Sequence, residues 1–281
     1  MQAPETLSKE PKQPWRPAPL MRLVLALHVA GAALLIVAPA WWPWSIAMIA
    51  GSHVVLGIAV LFPRAPWLGP NLVRLPEAAR ARSEVALTLD DGPDPDVTPR
   101  VLDLLDRYQA RASFFCVGRK AAAHPGLVGE IARRGHSIEN HSHSHSHAFA
   151  FYGWSALGCE VDQAQQAIST ASGITPRFFR APAGFRSPFL DYVLAARGLR
   201  YVSWTRRGYD TVSCDPDAVL ARLVANLAAG DVLLLHDGCR TRLSDGEFLA
   251  VTVLQRLLDR LRAEGLRPVT LPAAFDDAAR T

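Results

Sequence analysis

Val85-Ala86-Leu87-Thr88-Leu89-Asp90-Asp91-Gly92-Pro93 is the stretch on which the reading of this chain turns. Its first five residues form an apolar run of the length of a buried strand. Two adjacent carboxylates and a Gly-Pro turn end it. Strand ends are where α/β proteins place their chemistry. Asp90 and Asp91 repel each other unless their tasks differ. A metal on one and a proton-transfer task on the other would separate them. The plainer alternative is a turn carrying two solvated charges, and this stretch alone leaves both open.

Working outward, the same kind of run recurs. Strands are predicted at 85–89, 112–117, 136–140, 177–181, 200–204, 231–235 and 267–271. Helical patterns fall between them. Val101-Leu102-Leu104-Leu105-Tyr108 is one, and Leu254-Leu257-Leu258-Leu261 before Gly265 is another. Strand–helix alternation repeated about seven times predicts an α/β fold, a parallel sheet covered by helices as an open sheet or a barrel. This catalytic unit is placed at 84–275, with a short tail at 276–281.

Upstream, residues 1–19 carry five prolines and several charges, the composition of a disordered tail. Residues 20–63 hold two apolar runs, Leu20 to Ala38 and Ser45 to Phe62, broken by Pro39, Pro43 and the cluster Trp41-Trp42-Pro43-Trp44. Together they are about twice the length of one bilayer crossing. They predict a two-helix transmembrane hairpin with an interfacial tryptophan turn. A cleaved signal peptide fits less well, because its apolar region is shorter and ends in small residues. His28 and His53 lie inside these helices and are read as weakly polar packing residues. Residues 64–83, with prolines at 66, 70 and 76 and with Arg64, Arg74, Arg80 and Arg82, are read as a linker.

The bulk numbers narrow the function classes. A 281-residue chain is one ordinary domain plus something extra, or two small domains. Its 49% hydrophobic content is high for a soluble protein, and the excess sits in the hairpin. A net charge of +4 with scattered arginines and no aromatic interleaving gives no nucleic-acid footprint. Cys116, Cys159, Cys214 and Cys239 lack any CxxC spacing, so they mark neither a zinc knuckle nor a disulfide framework. No protein partner is inferable.

Three further constellations carry chemistry. Asn140-His141-Ser142-His143-Ser144-His145-Ser146-His147 follows a predicted strand. His141 and His145 share a face if the chain turns helical there, and can then bind one metal with a third ligand such as Asp91. A solvated His/Ser tract that binds metal non-specifically is the alternative. Phe178-Phe179-Arg180-Ala181-Pro182-Ala183-Gly184-Phe185 runs from a strand into an arginine able to orient a carboxylate. Gly230-Asp231-Val232-Leu233-Leu234-Leu235-His236-Asp237-Gly238 delivers His236, a general-acid candidate, at a strand end.

The order Asp-Asp-Gly-Pro, His-Ser-x-x-His, Arg-x-Pro-x-Gly, Leu-x-His resembles the polysaccharide deacetylases of carbohydrate esterase family 4, over residues 84–272. The resemblance implies a distorted (β/α) barrel of parallel strands and a divalent metal, usually zinc. Carried across, it makes Asp91, His141 and His145 the metal ligands, Asp90 the general base and His236 the general acid. Arg180 would hold Asp90. The chemistry agrees, since two imidazoles and a carboxylate form an open zinc site. Two departures stand out. Ala183, whose backbone N–H would face the oxyanion, occupies a position often aromatic in the family, and Phe185 is the nearest replacement. The Asp-x-x-Asp-Trp motif that tunes the acid histidine has no clean counterpart in Trp204 to Asp210. Only Asp210 can take that role there, and Trp204 is a candidate substrate contact. His143 and His147 match no ligand position.

The expected function is therefore membrane-anchored, metal-dependent removal of an N-acetyl group from an amino sugar in a glycan or lipid-linked saccharide. Its rivals are a deformylase or O-deacetylase on the same scaffold, a non-catalytic glycan- or metal-binding relative, and a His-rich metal-handling protein. Charge asymmetry favours a cytoplasmic catalytic domain. Lys9, Lys12, Arg16 and Arg22 precede the hairpin, four arginines follow it, and its turn is uncharged. Unpatterned cysteines suit a reducing compartment. If only one apolar run spans, the domain lies outside.

Overall fold

The computed structural model describes residues 15–276. The tail expectations for 1–14 and 277–281 lie outside the described residues. Eight strands, all paired in parallel, form one sheet: β1 (Glu84–Asp90), β2 (Ser113–Cys116), β3 (Ser137–Asn140), β4 (Phe178–Phe179), β5 (Arg200–Tyr201), β6 (Arg206–Arg207), β7 (Val232–His236) and β8 (Arg267–Val269). Their order is β5-β4-β3-β2-β1-β7-β6, and β8 pairs with the start of β1. All seven predicted strands are present, and β6 is the addition. The sheet curls into the expected distorted barrel.

The period of two along β1 sorts its side chains. Val85, Leu87 and Leu89 point into the larger core, against the helices Thr98–Arg107 and Leu249–Ala263. Ala86 points the other way, into an inner cluster with Phe115, Phe178, Val202 and Val232. Asp90 shares the parity of Ala86, so the same alternation turns it toward the barrel interior. Crossover connections in a parallel sheet bring all strand C-termini to one end, which is where Asp90, Asn140, Phe179 and His236 finish.

The segment 64–83 differs from a linker. Leu72 N donates to Tyr201 O, Ser203 N donates to Leu72 O, and Leu75 N donates to Gly230 O. The chain thus lies between the end of β5 and the start of β7, with Leu68 and Leu75 buried. Its prolines and arginines hid this, because the pairing uses backbone rather than an apolar pattern. Residues 15–18 are also packed rather than free. The Trp15 indole donates to Asp191 Oδ2 at 2.7 Å and meets the edge of Tyr192.

Two helices, α1 (Pro19–Val37) and α2 (Trp42–Val60), are long and apolar enough to cross a membrane, and they pack on each other. A single 3₁₀ turn, Pro39–Trp41, joins them. Gly31 allows the close approach, since a β-carbon there would lie 3.1 Å from Ile49. The His28 and His53 rings meet across this contact at 5.1 Å.

A packed 64–83 segment has a measurable consequence. Leu75→Ala should cost about 2–5 kcal/mol, the range of buried leucine truncations. A thermal or denaturant melt reads it, whereas a loose tether would leave the midpoint unchanged.

Candidate metal and catalytic centre

Register places the site. Asp90 at the end of β1 lies opposite His236 at the end of β7. Asn140 pairs with Phe179 across β3 and β4, so the next residues, His141 and Arg180, are also neighbours. These strand ends border a cavity of about 280 Å³, lined by Asp90, Asp91, His141, His145, Trp204 and His236, with His147, Ala183, Phe185 and Arg207 around them.

Asp91 Oδ1 lies 3.2 Å from His141 Nε2 and 2.9 Å from His145 Nε2. The three ligand atoms fall within 4.8 Å of one another. Asp91 Oδ1 is buried yet makes no hydrogen bond of acceptable geometry. A carboxylate oxygen and two imidazole nitrogens gathered in this way fit a divalent metal. Burial alone would raise the Asp91 carboxyl, but the approach of His141 and His145 holds it well below the ordinary carboxylate range. His141 Nδ1 donates to Arg180 O at 2.8 Å, which reserves Nε2 for a ligand.

The two histidines do not converge by helix, as their spacing of four had permitted. Residues 141–147 form a loop in which Ser142 and His145 take positive φ, 61° and 53°. Its backbone is pinned by a residue the sequence did not single out. Glu160, from the helix Trp154–Ser172, accepts from His143 N at 3.0 Å and Ser144 N at 2.8 Å. Asn140 Oδ1 accepts from Ser142 N, and Ser142 Oγ accepts from His145 N. The loop sends His143 toward Gly118, away from the Asp91 cluster, while His147 lines the cavity.

Arg180 is fully buried. It donates to Asp90 Oδ1 at 2.6 Å, to Thr88 Oγ1, and to the carbonyls of Val202 and Ser203. Its guanidinium also lies 4.1 Å over the Phe115 ring. Asp90 is thereby fixed in orientation, with its other oxygen 3.8 Å from His141 Nε2.

Asp210 accepts from the His236 backbone N and from His236 Nδ1, both at 2.8 Å. Burial works against the imidazolium, but Asp210 outweighs it and lifts His236 above its ordinary value. Asp210 was the weakest of the sequence candidates, because no motif spacing fixed it. Thus the structure brings Asp90, Asp91, His141, His145, Arg180, Asp210 and His236 together. Ala183 lines the cavity at a positive φ of 54°. Trp204 is nearly buried against Gly184, where a β-carbon would come within 2.5 Å of its ring. Sequence reasoning missed Asp237, which is buried next to His236 and accepts from the Thr98 hydroxyl. Burial pushes its carboxyl up to about 7.

The metal assignment is open to a direct count. One divalent ion should bind per chain. His145→Ala should lose most of that affinity and His143→Ala little, as read by elemental analysis of the purified variants. The reverse ranking would overturn the ligand set.

Known proteins resemble this chain in sequence and fold. The profile of the polysaccharide deacetylase family matches residues 77–202. A peptidoglycan-N-acetylglucosamine deacetylase from Bacillus cereus is 32% identical over 195 residues, 66% of this chain and 85% of that one. A chitooligosaccharide deacetylase from Sinorhizobium fredii is 33% identical over 204 residues, 70% of this chain and 94% of that one. The crystal structure of a peptidoglycan N-acetylglucosamine deacetylase superposes with a TM-score of 0.64 at 28% identity, over 73% of this chain and 92% of that one. With its strand ends, its Asp/His cluster and these relatives in agreement, the chain belongs to the polysaccharide deacetylase family of carbohydrate esterases.

Proposed function

We propose that this protein is a membrane-anchored N-deacetylase of an amino sugar, in a glycan or a lipid-linked saccharide. The observation that carries the reading is the register pairing of Asp90 with His236, beside Asp91 on one cavity. A protein that only bound metal would need neither Asp90 nor His236.

Asp91, His141 and His145 would hold a divalent metal, with zinc the best match to these donors, and it would supply Lewis acidity toward a water and the amide carbonyl. Asp90 takes the proton of the attacking water. Arg180 holds Asp90 in one orientation through the hydrogen bond to its Oδ1. Arg180 is thus a positioning residue. The Ala183 backbone N–H is our candidate donor to the oxyanion. His236 protonates the departing nitrogen, and Asp210 supports its charged form. Acetate and a free amino sugar result. Trp204 and Phe185 offer flat apolar faces to the sugar ring, and Phe185 remains substantially exposed.

Acetate release from N-acetylglucosamine oligosaccharides by the purified full chain tests the activity, and formate release from N-formyl analogues separates the deformylase alternative. Asp90→Asn should keep the metal and lose roughly 100- to 10,000-fold in turnover. Asp210→Asn should act differently. A general acid works while protonated, so activity falls as pH rises through its pKa. Removing the carboxylate that raises His236 moves this alkaline limb of the kcat/KM profile to lower pH. An unmoved limb would separate Asp210 from the acid.

For the anchor we infer a hairpin with both ends on the catalytic side. Trp41, Trp42 and Trp44 stand exposed at the turn, and Trp15 and Trp67 flank the opposite ends of the helices. Nineteen helical residues rise about 28 Å, close to a hydrocarbon core, so two aromatic girdles are separated by one bilayer. Positive residues at both ends of the hairpin support a cytoplasmic domain. A reporter fused after Arg82 should be active as a cytoplasmic probe and silent as alkaline phosphatase. The opposite pattern would put the domain outside.

A further inference from the structure

A second, larger cavity of about 830 Å³ adjoins the catalytic one and shares Trp204 and Arg207 with it. Leu61, Phe62 and Trp67, where the chain leaves α2, form its apolar side, and all three are well exposed. Arg64, Arg206, Arg207 and Arg222 line the remainder, and no carboxylate does.

The charges are unbalanced. Arg206 pairs with Asp231 at 3.2 Å. Among the described residues the other three have no carboxylate within ion-pairing distance. Arg64 donates to Thr205 O and Arg222 to Gly208 O, each at a long 3.3 Å. Arg207 lies over the faces of Trp204 and Tyr209, at 5.1 and 4.9 Å, and its Nε is buried without a hydrogen-bond partner. Guanidiniums gathered without counter-charge repel one another, and their planar forks match phosphate oxygens. A neutral glycan would leave them uncompensated.

The sequence of surfaces is apolar at the membrane end, cationic in the middle, and catalytic beyond Trp204. A lipid-linked sugar has the same order of parts: lipid, phosphate, sugar. We infer that this groove holds the phosphate of a lipid-linked amino sugar, with the lipid leaving along Leu61, Phe62 and Trp67 and the sugar entering the catalytic cavity. The sugar end rests on the deacetylase reading. The phosphate end can be tested without it.

Titration calorimetry on the full chain in neutral detergent, with geranyl phosphate as probe, reads the groove directly. Geranyl phosphate should bind at least about tenfold more tightly than either geraniol or inorganic phosphate. Arg64→Gln and Arg222→Gln should each weaken it by about tenfold, the scale of one charge-assisted contact. Arg222→Lys, which keeps the charge, should recover part of the loss, as a merely structural role would not. Inorganic phosphate binding equally well would make this a free-phosphate site. Displacement by phosphatidylglycerol at equal concentration would make it a general headgroup site. Either result overturns the inference, as does unchanged affinity in both glutamine variants. In turnover, the same variants should lower the ratio of kcat/KM for a phosphate-linked lipid N-acetylhexosamine over a neutral alkyl glycoside by about tenfold. If geranyl phosphate binds as expected while neither sugar yields acetate, the phosphate site stands and the deacetylase reading falls.

Discussion

The buried contact between Arg180 and Asp90 is the joint on which the site hangs. Arg180 reaches from the end of β4 to Asp90 and Thr88 on β1, to the carbonyls after β5, and to the Phe115 ring on β2. Its own carbonyl fixes His141 beyond β3. One residue, through its side chain and its carbonyl, therefore touches five strand ends. An unpaired charge at such depth costs several kcal/mol, so neither partner can be lost alone without penalty. This explains why a guanidinium lies inside the barrel, among polar as well as apolar inward residues such as Thr88 and Phe115. It neutralises the carboxylate that the chemistry needs there, and each of its three nitrogens makes at least one hydrogen bond.

That joint also divides the labour of the adjacent aspartates. Asp90 faces inward with its alternating neighbours and meets Arg180. Asp91 follows in a left-handed turn, φ 71°, which directs it to the histidines instead. In an uninterrupted strand the two side chains would lie on opposite faces of the sheet. The turn folds the second back over the strand end. Gly238 makes room for it, since a β-carbon there would lie 2.5 Å from Asp91 O. Lys120 Nζ then donates to that same carbonyl at 2.7 Å. Two like charges one residue apart thus acquire different partners, as their opposed environments require.

Much of this was legible in the sequence, for physical reasons. Buried parallel strands read as continuous apolar runs, so β1 and β7 were plain, and their ends named Asp90, Asp91 and His236. The strand Arg206–Arg207 was not legible, because two arginines at a sheet edge carry no apolar signal. Residues 72–75 escaped for a similar reason, since backbone pairing leaves no mark in composition. Spacing alone offered a helix for His141 and His145. The loop that replaces it depends on Glu160, which is distant in sequence and has no periodic signature. Asp210 lay in the same blind region, for its partner is set by the fold of the β6–β7 connection rather than by a motif.

Backbone strain is present in the loops that complete the site, as it is at Ser83, Gln109, Tyr209 and Asn226. Asp91, Ser142, His145 and Ala183 all hold positive φ without being glycine. Such conformations cost on the order of 1–3 kcal/mol each and persist only where surrounding contacts over-determine them. Those contacts are present for the histidine loop, in Glu160 and Asn140, and for Asp91, in Lys120. Ala183 differs, because its neighbour Gly184 packs on Trp204 and leaves no room for a side chain. Its strained turn is therefore coupled to the indole that divides the catalytic cavity from the arginine-lined groove. The outer groove and the reacting centre thus share a wall whose position is fixed by packing rather than by chemistry.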